Sequence, residues 1–470
     1  MAKSYQANEL NGIIKIDESK CKGCDTCKSF CPADAIEGAY GANHRINDAR
    51  CLQCGQCLVN CPFGAIEDTV DVVDQVIEKL QDKNTTVVAT VAPAVRVALG
   101  EEFGMEPGKL ITEQMYGALK AAGFKIMDVN FAADNTILEE GTELIHKIQK
   151  YVLNQPAEGE LGPLPQFTSC CPAWVRYMEL YHPDLRQHLS SAKSPMGMAG
   201  PVAKIYGAQE VWKVPPEQIY CVGVYPCTAK KLEGSRPEFT AAADYWKKQG
   251  HTATYQDTDV VLTTRDLARL LKKLGIDVRN VTPAEEKDNP LAEYTGAGTI
   301  FGATGGVMEA ALRTAYFVLT GEELGELHYE PVRGLKEVKT AAVPLKLKGN
   351  GQEIVLKIAV VHGTKNVEPL LAEVKEGHSP YHFIEVMNCP GGCVNGGGQP
   401  QVPMGVRNFV DIREERAKVL YNLDKSMPLR QSHENPAIKK VYEEFFEKPG
   451  SHKAHEVLHT SYVKRKVNEI

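Results

Sequence analysis

The chain has 470 residues, 43% apolar and 24% charged, with a formal net charge of −7. That length asks for two or three domains rather than one core, and the composition is that of a soluble globular protein. The acidic balance leaves no footprint for nucleic acid, and no apolar run is long enough to cross a membrane.

The opening residues, MAKSYQANELNG, hold neither an apolar signal region nor twin arginines, so the expected location is cytoplasmic. In that compartment fourteen cysteines read as metal ligands rather than disulfides. Residues 1–12 are expected to be a loose arm or edge strand, and 13–16 a short strand. Cys21-x2-Cys24-x2-Cys27-x3-Cys31-Pro32 follows, and the pattern recurs as Cys51-x2-Cys54-x2-Cys57-x3-Cys61-Pro62. This is the signature of a bacterial two-cluster ferredoxin. It assigns Cys21, Cys24, Cys27 and Cys61 to one 4Fe–4S cluster, and Cys51, Cys54, Cys57 and Cys31 to the other. The competing reading, a pair of zinc sites, does not account for a doubled spacing that ends in proline. Two adjacent clusters make an electron relay and name no substrate.

Apolar spacing predicts a helix over 69–81 and a turn at 82–84. The Val- and Thr-rich stretch from 85 opens as a buried strand and breaks at Ala92-Pro93-Ala94. A helix over 111–122, a strand at 126–129 and a helix over 136–153 follow, the pattern of a parallel α/β layer. Residues 156–165 are a Pro/Gly-rich loop, and 183–206 are helical in parts. Strand 219–224 delivers Cys227 at its carboxyl end, where open α/β sheets place their sites. Cys221, within that strand, reads as a small buried hydrophobe. Strand then helix covers 260–274, and the glycine-rich turn 302–307 opens a helix through Arg313. No lysine stands in the Walker position there, so close packing is preferred to phosphate binding. A strand at 354–361, a helix at 367–374 and a strand at 383–386 precede the third cysteine stretch. Charged helices close the chain, 436–446 among them. The tail His452-x2-His455-x3-His459 has metal-like spacing, but its charged surroundings favour a solvated or capping helix.

Five later cysteines sit in three stretches: TSCCPAW at 168–174, YPCTAKKLE at 225–233 and EVMNCPGGCVNGGGQP at 385–400. Cys171, Cys227, Cys389 and Cys393 suffice for one cubane, although spacing alone also allows a four-thiolate zinc. Cys170 is surplus to any four-ligand site. Lys230, three residues past Cys227, would put a cation beside the thiols. The triple glycine lets backbone pass close to a bulky neighbour.

Together the three stretches resemble the signatures of FeFe-hydrogenases, and SHENP at 432–436 and HTSY at 459–462 fit as well. The resemblance implies an α+β ferredoxin-like domain at 1–83, a two-lobed α/β catalytic domain at 84–430 with the cofactor in the cleft, and a helical cover at 431–470. It implies the H-cluster, a 4Fe–4S cubane joined to a two-iron unit carrying carbonyl, cyanide and an azadithiolate. Cys393 would bridge the two halves, with Cys171, Cys227 and Cys389 completing the cubane. Lys230 would donate to an iron-bound cyanide, and Pro93, Met387, Phe301 and Tyr225 would wall the two-iron unit. The implied reaction is the reversible joining of two protons and two electrons into dihydrogen. Protons would pass through Cys170, Glu140, Ser190 and Glu143; the glutamates, at i and i+3, share one helix face. Without the resemblance these acids read as a solvated charged face. Implied partners are ferredoxin or a similar carrier and the maturation proteins that supply the two-iron unit. Two other roles share the ligands: a cluster scaffold, which needs no donor thiol, and a hydrogen sensor, which needs an output module. Three positions depart from the family's common residues: Ala94 for serine, Met196 for glutamine and Tyr225 for methionine.

Overall fold

The computed structural model describes residues 12–286, 289–325 and 332–465; the expected arm at 1–12 lies, but for Gly12, outside them. Strands β1 (Ile14–Ile16), β2 (Ile36–Glu37), β3 (Arg45–Ile46) and β4 (Ile66–Asp68) form two short antiparallel ladders, β1 with β4 and β2 with β3. One short helix opens inside each cysteine run, Thr26–Ser29 and Gln56–Asn60, after Asp25 and Gly55 turn into the left-handed region. The repeat in sequence is therefore a repeat in structure. The helix expected over 69–81 begins later, at Val73–Gln81.

Two four-stranded sheets follow. β5 (Thr86–Val91), β6 (Lys125–Asp128), β7 (Gln166–Phe167), β8 (Ile219–Tyr225), β9 (Val260–Thr263), β10 (Val338–Lys346), β11 (Glu353–His362) and β12 (Phe383–Met387) divide between them. The first sheet runs β6-β5-β8-β9 and is parallel throughout. Its strands are buried almost end to end, as a sheet covered on both faces requires. The second runs β10-β11-β12-β7, parallel except for β10. β10 is an edge strand that sequence reading missed; it carries Pro344, tolerated only where one side needs no ladder donor.

Helix α1 (Val129–Tyr151) starts seven residues before the expected 136. Its first turns are buried on every side, so no amphipathic period marks them. The start is set instead by Asp128, whose side chain accepts from the Asn130 amide at 2.9 Å. Asp128 also pairs with Arg96 at 2.7 Å, both fully buried. Arg96 in turn donates to the Pro93 carbonyl at 3.2 Å, which fixes the turn after β5. Removing one partner from such a buried pair costs about 3–5 kcal/mol. The other elements near the site are α2 (Pro172–Tyr181), α3 (Ala229–Gly234) and, near the C-terminus, α4 (His452–Leu458). The helix after the glycine-rich turn runs over Gly306–Thr320, beyond the expected Arg313. Packing explains the turn: a Cβ on Gly305 would stand 2.0 Å from the Val332 carbonyl, and one on Gly306 1.8 Å from that of Ile300. The helix expected over 436–446 divides into Pro436–Val441 and a wider turn, Tyr442–Phe446. Among the described residues no helix is long and apolar enough to cross a membrane.

Candidate metal centre

Strand ends from both sheets line one cavity. Pro93 follows β5; Tyr225 ends β8 and Cys227 follows it; Cys170 and Cys171 follow β7; Met387 ends β12, and Cys389 and Cys393 follow it. These are carboxyl ends of parallel strands, the expected position for a site in α/β sheets. The cavity also takes Lys230 from α3, Phe301 and Met196. The centre of a water-sized sphere can explore about 70 Å³ of it, several times the space one water needs. Every wall residue named in the sequence is thus present in one enclosed space.

All fourteen cysteines are free thiols. Burial pushes the Cys227 thiol up to about 12, and raises Cys171, Cys389 and Cys393 as well. Thiols held protonated by burial become ligands only when a cationic metal stabilises the thiolate. Lys230 stands over them with three partners: Glu233 at 2.5 Å, Ser194 Oγ at 2.8 Å and the Cys170 carbonyl at 3.2 Å. Burial opposes its charge, but Glu233 and the neighbouring thiols keep the ammonium above its ordinary pKa. Ser194 was not singled out from the sequence, and Glu233 was quoted only as the end of its motif, without a role. The Ser-Pro helix start and the i, i+3 spacing to Lys230 were the available signals.

Cys21, Cys24, Cys27 and Cys61 line a second cavity in the N-terminal region. Cys31 stands close enough to Cys51, Cys54 and Cys57 to raise their pKa values further, after burial. In space Cys61 thus lies with the first run and Cys31 with the second. Cys54 also lines the main cavity. The triple glycine makes that approach possible: a Cβ on Gly397 would stand 2.1 Å from the Cys54 carbonyl, and one on Gly396 2.0 Å from the Pro226 carbonyl. Thr228 Oγ1 donates to the Gln53 carbonyl at 2.7 Å, and Gln56 Nε2 to the Asn395 carbonyl at 2.8 Å, closing the same seam.

Glu139, Glu140 and Ser190 are buried and Glu143 is largely so, which overturns the solvated-face reading of α1. No hydrogen bond of normal geometry reaches either Glu140 carboxyl oxygen. Burial and then the charge of Glu143 push Glu140 up to about 8, against the pull of the Ser169 amide and Ser190 hydroxyl. Glu143 goes the other way. Burial opposes its ionisation, but Lys147, Ser190 and His459 hold its carboxyl below the ordinary value. Lys147 pairs with it at 2.7 Å and Ser190 Oγ donates at 2.8 Å. Burial, then the Glu140 charge, raises the Cys170 thiol well above its usual range. Two neighbouring carboxyls with pKa values driven apart are arranged as proton donor and acceptor.

Residues 85–397 match the family model of the iron-only hydrogenase large subunit, C-terminal domain. Residues 410–465 match the iron hydrogenase small subunit, and 13–62 a 4Fe-4S dicluster domain. The chain belongs to the iron-only, or FeFe, hydrogenase family. It is 47% identical over 401 residues to a periplasmic Fe hydrogenase large subunit of Nitratidesulfovibrio vulgaris, covering 85% of this chain and 89% of that one. An FeFe-hydrogenase structure from Chlamydomonas reinhardtii superposes with a TM-score of 0.71 at 36% identity, over 84% of this chain and 99% of that chain. A more distant relative, cytosolic iron-sulfur assembly component 3 of Mus musculus, is 30% identical over 397 residues, 83% of this chain and 77% of that one.

The chain is thus a hydrogenase of H-cluster type with additional 4Fe–4S clusters. Its residues fit those groups. Four cysteines line the main cavity, Cys389 buried and Cys171, Cys227 and Cys393 partly so; the buried Lys230 stands beside them, and eight more thiols fall into two sets. The small-subunit match opens at 410, ahead of the 431 expected for the helical cover.

Proposed function

We propose that this hydrogenase interconverts dihydrogen with protons and electrons reversibly, in a cleft between two α/β lobes, and exchanges electrons with ferredoxin or a similar carrier. The observation that carries the proposal is Cys170. It is a thiol beyond the four ligands, in the same cavity, beside the Glu140, Ser190 and Glu143 set. A scaffold that only holds clusters has no use for that arrangement. The division at 1–83, 84–430 and 431–470, a cytoplasmic location and dependence on maturation proteins belong to the same reading.

Cys171, Cys227, Cys389 and Cys393 would hold the H-cluster, with Cys393 as the bridging ligand. Cys21, Cys24, Cys27 and Cys61 would hold the outer cluster, and Cys31, Cys51, Cys54 and Cys57 the inner one. When bound, these groups supply the iron centre for the chemistry and the route for electrons. The rest falls to the chain. Cys21, Cys24 and Cys61 are only half-buried, whereas Cys51, Cys54 and Cys57 are buried, which supports docking of the carrier at the outer set. Pro93, Met387, Phe301 and Tyr225 exclude water from the cavity. Lys230 has one long hydrogen bond, to the Cys170 carbonyl, and would exchange it for an anionic diatomic ligand. At neutral pH the Glu140 carboxyl carries a proton and Glu143 does not. A proton given up by Cys170 is therefore replaced from Glu140, and Glu140 is recharged by protons that Glu143 takes up from outside and passes on through Ser190.

Glu140→Gln tests this directly. The amide keeps the shape and carries no exchangeable acid, so turnover is expected to fall by about a hundredfold or more. Stability should change in a defined sense. A carboxyl whose folded pKa is raised binds more protons folded than unfolded, so wild-type stability falls as pH rises from about 4.5 to about 8. The variant should lose that part of the slope in denaturant titrations across this window. An unchanged slope and rate would remove Glu140 from the path.

Tyr225 donates to or accepts from Thr90 at 3.3 Å, and the Lys230 ammonium lies 5.7 Å from its ring centre. Tyr225→Met withdraws the hydroxyl and frees Lys230 from the ring face. The ratio of uptake to evolution rates should shift; an unchanged ratio in film voltammetry would clear Tyr225 of any part in catalytic bias.

A further inference from the structure

In the histidine-rich tail His452 and His455 stay exposed on α4, as a solvated or capping helix would have them, but His459 does not. His459 lies just past α4 and is largely buried, its side chain 6% exposed. Two backbone hydrogen bonds hold it beside the serine pair, Thr460 donating to the Ser191 carbonyl at 2.8 Å and Lys193 to the Leu458 carbonyl at 2.8 Å; together they make a single antiparallel bridge between Ala192 and His459. Its Nδ1 lies 2.8 Å from Ser191 Oγ. Ser191 Oγ lies 3.2 Å from Glu143 Oε2, which also takes the Ser191 amide at 2.9 Å. On its far side His459 Nε2 meets Glu139 Oε2 at 2.9 Å. Glu139 is anchored by the Tyr442 hydroxyl and by the Gly450 amide at 2.9 Å. The ring of His455, an exposed residue, lies against that of His459 with centres 4.0 Å apart.

We infer that His459 is the outer station of the proton path, passing protons between solvent at the His455 side and Glu143 through Ser191. The inference rests on the Glu140–Ser190–Glu143 reading above and extends it to the surface. The geometry balances as a relay. In the neutral ring Nε2–H donates to Glu139, and Nδ1 accepts from the Ser191 hydroxyl, leaving Glu143 without that bond. When the Ser191 hydroxyl turns from the ring to donate to Glu143 Oε2, Nδ1 is freed to take up a proton, and Nδ1–H then donates to Ser191 Oγ. Transfer then moves the Nδ1 proton to Ser191 Oγ as the serine's own proton passes to Glu143. One proton enters at the imidazole, one arrives at the carboxylate, and Ser191 is unchanged. Among the described residues the charged and titratable groups facing the ring are Glu139 and Glu143 from α1 and His455 from α4, with Lys147 behind Glu143 and Tyr442 behind Glu139. Lys147 holds the other oxygen of Glu143 but is wholly buried, so it offers no outlet itself.

The test compares three variants of the matured enzyme: His459→Gln, which keeps a donor toward Glu139 but no titratable ring, His459→Ala, which leaves a hole, and Glu143→Gln. Infrared bands of the iron-bound diatomics establish equal cluster loading, and hydrogen–deuterium exchange in D2O reads proton passage without the electron route. Both His459 variants are expected to exchange about tenfold slower or worse, with an altered pH profile, and imidazole should restore much of the rate in His459→Ala alone. Full rate and an unchanged pH profile in His459→Gln would overturn the outlet, as would a slow His459→Ala that imidazole does not restore. In either case a slow Glu143→Gln leaves the inner path standing, whereas a fast Glu143→Gln brings down both readings.

Discussion

Cys170→Ala is expected to keep its clusters and to lose hydrogen turnover in both directions by at least about a hundredfold. The proposed ligand set is Cys171, Cys227, Cys389 and Cys393, and Cys170 is a further thiol in the same cavity wall. Its removal therefore leaves cluster assembly untouched. What it removes is the cavity thiol that feels the Glu140 charge. Alanine leaves a gap of one sulfur atom, and a buried gap of that size costs about 1 kcal/mol, too little to unfold the domain. Cys170→Ser should be almost as slow, since a hydroxyl fills the space but gives up its proton far less readily than a thiol. Iron content, infrared spectra and rates on one preparation make the check. Near-normal turnover in a fully loaded Ala variant would take Cys170 out of the path.

Gly397→Ala is expected to separate the electron route from the chemistry. The new methyl group would meet the Cys54 carbonyl at 2.1 Å and Gly55 Cα at 2.6 Å, both backbone atoms of the ferredoxin-like part. Backbone cannot rotate away as a side chain can, so the seam between the two parts must open. Overpacking of this kind costs about 1–3 kcal/mol. The variant should show a lower melting temperature and slower ferredoxin-driven hydrogen evolution, while hydrogen–deuterium exchange stays near wild type. Equal losses in both assays would mean that the loop holds the main cavity in shape and does not set the seam.

Much of this was legible from residue types and spacing because metal ligation is a local code. The doubled cysteine runs predicted their crossed grouping, and the three later stretches predicted a single cavity. Strand–helix alternation predicted parallel sheets, and the strand ends carry the expected residues. What escaped was set by burial and by distant neighbours. The first turns of α1 show no periodicity because neighbours cover all their faces. β10 was hidden by Pro344, which an edge position allows. The triple glycine promised close approach, but only the folded chain shows that one of its neighbours is Cys54. His459 is the sharpest case. Its local sequence is charged throughout, yet the fold carries it to Ser191 and Glu139, 268 and 320 residues away in sequence.

The most direct test of the central claim is infrared spectroscopy of anaerobically purified, matured protein, with a hydrogen-uptake assay on the same sample. Metal carbonyl and cyanide bands together with uptake are the predicted result. Three filled cubanes with no such bands, in protein matured alongside an active control hydrogenase, would contradict catalysis and leave a cluster-holding protein in its place.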